Sequence, residues 1–175
     1  MRHRLAVCLA VVLAAAAQAE VTTASPTHFL LNYRQEVKAT PAQAIEAVGQ
    51  LPQWWNPSHT YSGQAASLRM GLRAGDCFCE QWGDGASVEH ARVIQVQPGR
   101  QVRLEGALGP LQELAVHGVL TFSARTAEGG GTQLVMTYRV VGDAAAGLER
   151  LAPIVDRVMG EQFQRWAAHV GSVAR

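Results

Sequence analysis

Short runs of alternating apolar and polar residues fill the middle of the chain, and a three- and four-residue apolar repeat fills its end. Phe29, Leu31, Tyr33 and Val37 fall on one side of an extended run from Phe29 to Lys38, which predicts a strand. Thr40 followed by Pro41 marks a helix start, with Thr as the capping residue and Pro in the first turn. That helix carries Ala44, Ile45 and Val48 on one face and ends near Gly49. Leu51 to Trp55 predicts a second, shorter helix, halted by Asn56-Pro57 because the residue before a proline avoids helical backbone.

From Ser67 onward short strands alternate with turn residues: 67–72, 77–82, 87–97, 102–108, 115–125 and 132–141, punctuated by Gly83-Asp84-Gly85, Pro98-Gly99, Gly109-Pro110 and Gly129-Gly130-Gly131. Turns so closely spaced favour antiparallel hairpins over crossover helices. Leu148, Leu151, Val155, Val158, Met159, Gln162, Phe163, Trp166 and Val170 then define one face of a long helix, with Arg150, Arg157, Glu161 and Arg165 opposite and Pro153 in the first turn. The predicted fold is α+β. A curved antiparallel sheet of about six to seven strands wraps around a long C-terminal helix, with two short helices after the first strand.

The start of the chain follows different rules. Arg2 and Arg4 precede an unbroken apolar run, Leu5 to Ala17, and Ala17-Gln18-Ala19 places small residues where a signal peptidase reads them. The run is shorter than the roughly 17–25 residues of a membrane span. Residues 1–19 are therefore predicted to be a signal peptide cleaved after Ala19, 20–27 a polar tether, and 28–175 a single domain. Export places the protein in the periplasm or outside the cell, with no integral membrane segment after cleavage.

The whole chain has 15 Lys+Arg against 14 Asp+Glu and a formal charge of +1. Loss of Arg2 and Arg4 leaves acidic groups one ahead. This balance gives no electrostatic footprint for nucleic acid. Nor is there a phosphate loop, since Gly129-Gly130-Gly131 joins two predicted strands as a hairpin, and no cofactor is expected.

Several segments together resemble the helix-grip (SRPBCC) superfamily, and in particular its exported, largely uncharacterised bacterial members. They are Gly75-Asp76-Cys77-Phe78-Cys79-Glu80, Ser87-Val88-Glu89-His90, Pro98-Gly99 through Gly109-Pro110-Leu111-Gln112, Gly130-Gly131-Thr132 and Leu151-Ala152-Pro153-Ile154-Val155-Asp156. The superfamily includes START lipid-binding domains, polyketide cyclases, the birch-pollen allergen group and Aha-type activators of the ninety-kilodalton heat-shock chaperone. The likeness spans His28 to Val170. It implies a cavity between sheet and C-terminal helix for a lipid, isoprenoid or polyketide-like molecule. It brings no shared catalytic motif, and an exported protein would not meet a cytosolic chaperone.

Strand arithmetic gives the candidate residues. With Asp84-Gly85 as a two-residue turn, Glu80 faces Glu89, Cys79 faces His90 and Phe78 faces Ala91; with Pro98-Gly99 as the next, Val93 faces Leu104 and Ile94 faces Arg103. Phe78, Glu80, Trp82, Glu89, Ala91, Val93 and Leu104 then share the inner face, and Cys77, Cys79, His90 and Arg92 the outer one. Glu80 and Glu89, about 5 Å apart, would be the acid–base candidates, one with a raised pKa. Cys77, Cys79 and His90 are soft metal ligands on the outer face, with no fourth ligand evident. Residues two apart in a strand have Cα atoms about 6.6 Å apart, so a Cys77–Cys79 disulfide is not expected unless the strand bends.

Phe78, Trp82, Val93 and Leu104 are predicted to line the cavity by strand alternation, as are Tyr33, Met136 and Tyr138. Met159 and Phe163 join them from the helix face. Of Trp54 and Trp55, one should face the cavity. The leading functional reading is a binding or carrier protein for a small hydrophobic molecule rather than an enzyme. The alternatives are a cyclase or dehydratase using Glu80 and Glu89, and a module that docks an envelope protein through the outer face.

Overall fold

A computed structural model of the chain describes residues 18–174. The predicted leader lies outside them but for its last two residues. The strands are β1 (Gln18–Ser25), β2 (His28–Val37), β3 (Leu68–Met70), β4 (Cys77–Trp82), β5 (Ala86–Gln97), β6 (Gln101–Glu105), β7 (His117–Thr126) and β8 (Thr132–Val141). They form one antiparallel sheet in the order β1-β2-β8-β7-β6-β5-β4-β3. Helices α1 (Pro41–Val48) and α2 (Leu51–Trp54) follow β2, and α3 (Leu148–Val173) closes the chain.

The architecture is the predicted α+β one, with one strand more than expected. Residues 20–27, expected as a tether, instead supply most of edge strand β1, with Val21 opposite Leu31 and Ala24 opposite Phe29. Its threonines and serine give no inward alternation. Backbone pairing with β2, the Ser25 hydroxyl on His28 and Val21 against the core hold it.

Helix α1 begins as the sequence dictates. The Thr40 hydroxyl accepts from the Gln43 amide at 3.2 Å, and the Gln43 side chain accepts from the Thr40 amide at 2.9 Å. This reciprocal box satisfies two of the amides that a helix start leaves free. In α3, Pro153 is the sixth residue of the helix rather than part of its first turn.

The C-terminal half of α3 fills the space over the sheet. Phe163 stacks on Tyr33 at 5.6 Å, and Trp166 meets Phe122 edge-on at 5.1 Å. Trp54 packs against Phe122 from α2, and its indole donates to the Ala47 carbonyl at 2.9 Å. Aromatic bulk therefore closes this end. The N-terminal half of α3 has no equivalent filling beneath it, and the cavity lies there.

Gly106, just after β6, lets the chain approach β5 closely. A Cβ there would lie 2.5 Å from the His90 carbonyl oxygen and 2.6 Å from the Ala91 Cα. Both are backbone atoms and cannot swing aside. Gly106→Ala is expected to lower stability by about 1–3 kcal/mol, the usual cost of overpacking. Gly129→Ala, with open space around it, should change little. Urea unfolding midpoints compare the two.

Candidate functional site

Two irregularities in the β4–β5 hairpin decide which side chains reach the interior. The turn is three residues long, since Trp82 pairs with Ala86, and both Gly83 and Gly85 take positive φ, 52° and 90°. Pairing is thereby offset by one from the two-residue expectation, so Cys79 faces Glu89 and Glu80 faces Val88. A β-bulge between Phe78 and Cys79, with His90 as the extra residue on β5, restores Phe78 opposite Ala91 and Cys77 opposite Arg92. A bulge turns neighbouring residues toward the same side, and His90 and Ala91 are consecutive buried residues.

The expected Glu80–Glu89 pair is thus replaced by another. Glu89 lies on the exposed face and pairs with Arg92. His90 turns inward, and its Nε2 lies 3.1 Å from Glu80 Oε2. A second bulge leaves Ile94 unpaired and puts Gln95, not Ile94, opposite Arg103; Val93 faces Leu104 as expected.

Glu80 is wholly buried. It accepts from the Tyr61 amide at 3.0 Å and the Ser62 amide at 2.6 Å, besides His90. Burial alone would push its pKa up, but the hydrogen bonds from Ser62, Tyr61 and His90 outweigh it and hold the carboxyl below 4.5. For His90 burial pushes the pKa below 6.5, against the pull of Glu80. The site therefore holds an ionised carboxylate and a neutral imidazole at neutral pH.

An aromatic series continues from this pair. Tyr61 stacks between Trp82, at 6.2 Å, and His90, at 5.8 Å. Phe78 lies 4.9 Å from His90 and 5.1 Å from Trp55. In front of these rings lies a cavity of about 630 Å³. His90 and Trp55 form part of its wall, Leu108 and Leu111 another, and Leu151, Val155, Val158 and Met159 of α3 the third. Tyr61, Leu114 and Ile154 also line it and remain 52%, 41% and 56% exposed. An apolar rim therefore meets solvent.

Side-chain bonds fix the walls. The Trp55 indole donates to the His59 carbonyl at 3.0 Å, and the Asn56 amide donates to Gln162 Oε1 at 2.9 Å. His59 pairs with Glu161 at 3.3 Å. Across the cavity, the Tyr138 hydroxyl donates to the Gly106 carbonyl and accepts from the Leu108 amide, anchoring the segment that leads into the short helical turn Gly109–Leu114.

Of the residues predicted to line the cavity, Trp55 and Met159 do so. Phe78 supports the wall from behind, and Trp82 backs Tyr61. Tyr33, Trp54, Val93, Leu104, Met136, Tyr138 and Phe163 are core residues. The Tyr33 hydroxyl is spent on Asp156, at 2.7 Å. Alternation identifies which face is apolar but not which part of it is left uncovered. The wall segments 58–61 and 108–114 lie outside the strands and α-helices, so no periodic pattern marks their lining residues.

On the outer face the Cys77 and Cys79 sulfurs are bonded to each other, with the Cα atoms 5.3 Å apart. The bend that would permit a disulfide is present at the β4–β5 bulge. His90 is on the opposite face of the sheet, so the predicted metal trio is not assembled. The third group near the cysteines is Glu89, and the joined sulfurs offer no thiolate.

No family model matches this chain, and no match was found among curated proteins. Solved structures do match. A Rhodobacter sphaeroides protein is 17% identical over 89% of this chain and 99% of its own, with a TM-score of 0.58. A Rhizobium leguminosarum protein is 21% identical over 89% and 98%, with a TM-score of 0.55. A di-domain ARO/CYC protein, StfQ from the steffimycin biosynthetic pathway, is 10% identical over 85% of this chain and 52% of its own, with a TM-score of 0.57. At such identities the likeness establishes the helix-grip-like fold alone. Among the described residues, no helix is long and apolar enough to cross a membrane.

Proposed function

We propose that this protein binds and carries a small hydrophobic molecule between its sheet and the N-terminal half of α3. The observation that carries this reading is the cavity of about 630 Å³ with its exposed apolar rim at Tyr61, Leu114 and Ile154. Its size suits a single small ligand, for which pockets of roughly 300–1,000 Å³ are usual. The shared fold of a protein described as an ARO/CYC from a biosynthetic pathway supports the same kind of occupant.

The carrier is proposed to act after export. The leader pattern of residues 1–19 supports this. Cleavage before Glu20 would take two residues from β1 and leave its pairing from Glu20 to Ser25. The cyclase alternative loses its second inner carboxylate, because Glu89 points outward and is held by Arg92.

Protein isolated from the cell envelope of its own host should begin at Glu20. Organic extraction followed by mass spectrometry should release one class of hydrophobic molecule in near-equal amount. An extract with no such molecule, from protein that also takes up no hydrophobic probe, would refute the carrier reading.

A further inference from the structure

We infer that His90 is the polar anchor of the cavity, accepting a hydrogen bond through Nδ1 from the hydroxyl of a neutral, phenol-like ligand. The inference rests on the cavity being a binding site and adds the chemistry of what it selects.

The three donors that converge on Glu80 come from Tyr61, Ser62 and His90. An ionised carboxylate can only accept, so the proton of the neutral imidazole must sit on Nε2. Nδ1 then carries a lone pair. No hydrogen bond joins it to any described residue, although His90 is only 6% exposed and lines the cavity. The buried polar side-chain atoms that lack a partner and are also sealed off are Asn32 Oδ1, Glu149 Oε2 and Gln162 Nε2. Nδ1 is not among them. It is a free acceptor on a residue that lines the cavity, and the ring is held by its Nε2 bond to Glu80 and packed by Tyr61 and Phe78.

The surroundings choose the ligand's charge. An anionic headgroup at Nδ1 would approach the negative Glu80 through an imidazole that resists protonation. A cation would be drawn by Glu80, but it would have to shed its water in a mainly apolar cavity for a single uncharged acceptor, since the Glu80 oxygens behind the ring are already hydrogen-bonded. The other titratable cavity residues are Tyr61, His59, which is engaged by Glu161, and Glu113. A neutral donor remains. Phenols donate more strongly than aliphatic alcohols, and their rings match the walls formed by Tyr61 and Trp55.

The test is calorimetric titration of the protein lacking its leader with 1-naphthol, 1-methoxynaphthalene and 1-naphthoate. The naphthol should bind about tenfold more tightly than the ether, the scale of one net hydrogen bond, and the naphthoate most weakly. His90→Phe should lose the naphthol preference and bind naphthol and ether with equal affinity. Equal affinity for naphthol and ether in the parent protein, or a preference that survives His90→Phe, would overturn the anchor while leaving the carrier reading intact. Failure of all three compounds would overturn both. Nitrogen-15 shifts of the His90 ring in the unaltered protein give a second readout independent of how the variant folds. Nδ1 should be unprotonated in the free protein and shift with naphthol alone; a protonated Nδ1, or identical shifts with the ether, would contradict the assignment.

Discussion

Glu80→Ala is expected to lower the stability of the protein by about 3–5 kcal/mol, the cost of leaving several buried donors without an acceptor. The carboxylate is wholly buried and serves three donors: the Tyr61 and Ser62 amides and the His90 imidazole. Alanine leaves these donors facing an apolar gap, and a buried unsatisfied donor costs about 1–3 kcal/mol. The segment around Tyr61 would lose its anchor, and with it part of the cavity wall. Urea unfolding at pH 8 measures the loss, and a fall below about 1 kcal/mol would mean that water replaces the carboxylate.

The same pair gives stability a pH dependence of definite sign. Both pKa values are depressed in the folded state. As pH falls through 6.5, the ordinary value for histidine, the unfolded chain takes up a proton that native His90 resists, so stability declines with acidification. A further loss follows at lower pH, as Glu80 is protonated through its depressed folded pKa. His90→Phe should flatten the first part of this decline in unfolding midpoints taken between pH 8 and pH 5.

The second large effect concerns binding. Val158→Trp is expected to weaken uptake of a neutral hydrophobic probe by about a hundredfold, equivalent to about 2.7 kcal/mol, while leaving thermal unfolding within a few degrees of the parent. Val158 lines the cavity from α3 and is only partly buried, so an indole can project into the open volume without displacing the core. The aromatic cluster of Trp54, Phe122, Phe163 and Trp166 fills the neighbouring core, where Trp54 meets Trp55 of the cavity wall at 5.5 Å. A large drop in melting temperature would show that the space around Val158 is already filled.

The regular parts of the fold were legible because their burial is periodic. Phe29, Leu31 and Tyr33 on β2 alternate, and Met159, Phe163, Trp166 and Val170 mark the buried side of α3. Thr40 and Pro41 placed the start of α1. The candidate site was legible only in part, because it rests on departures from periodicity. Glu80 was correctly placed inside. His90 was assigned to the outer face because a single extra residue in β5 reverses every side chain beyond it, and strand alternation carries no sign of the bulge. The same bulge admitted the Cys77–Cys79 bond and put Glu89 outside. Edge strand β1 gives no periodic signal, because its threonines and serine do not alternate with apolar residues.

The most direct test of the account is a fluorescence titration with N-phenyl-1-naphthylamine, a neutral probe that brightens in apolar surroundings, run on the parent protein and on Val158→Trp. Saturable uptake of one probe per chain by the parent, with Trp55 close enough to transfer energy to it, and loss of that uptake in the variant, is the predicted result. No saturable uptake by the parent, or uptake indifferent to Val158→Trp, would contradict the claim that this cavity is where the protein holds its ligand.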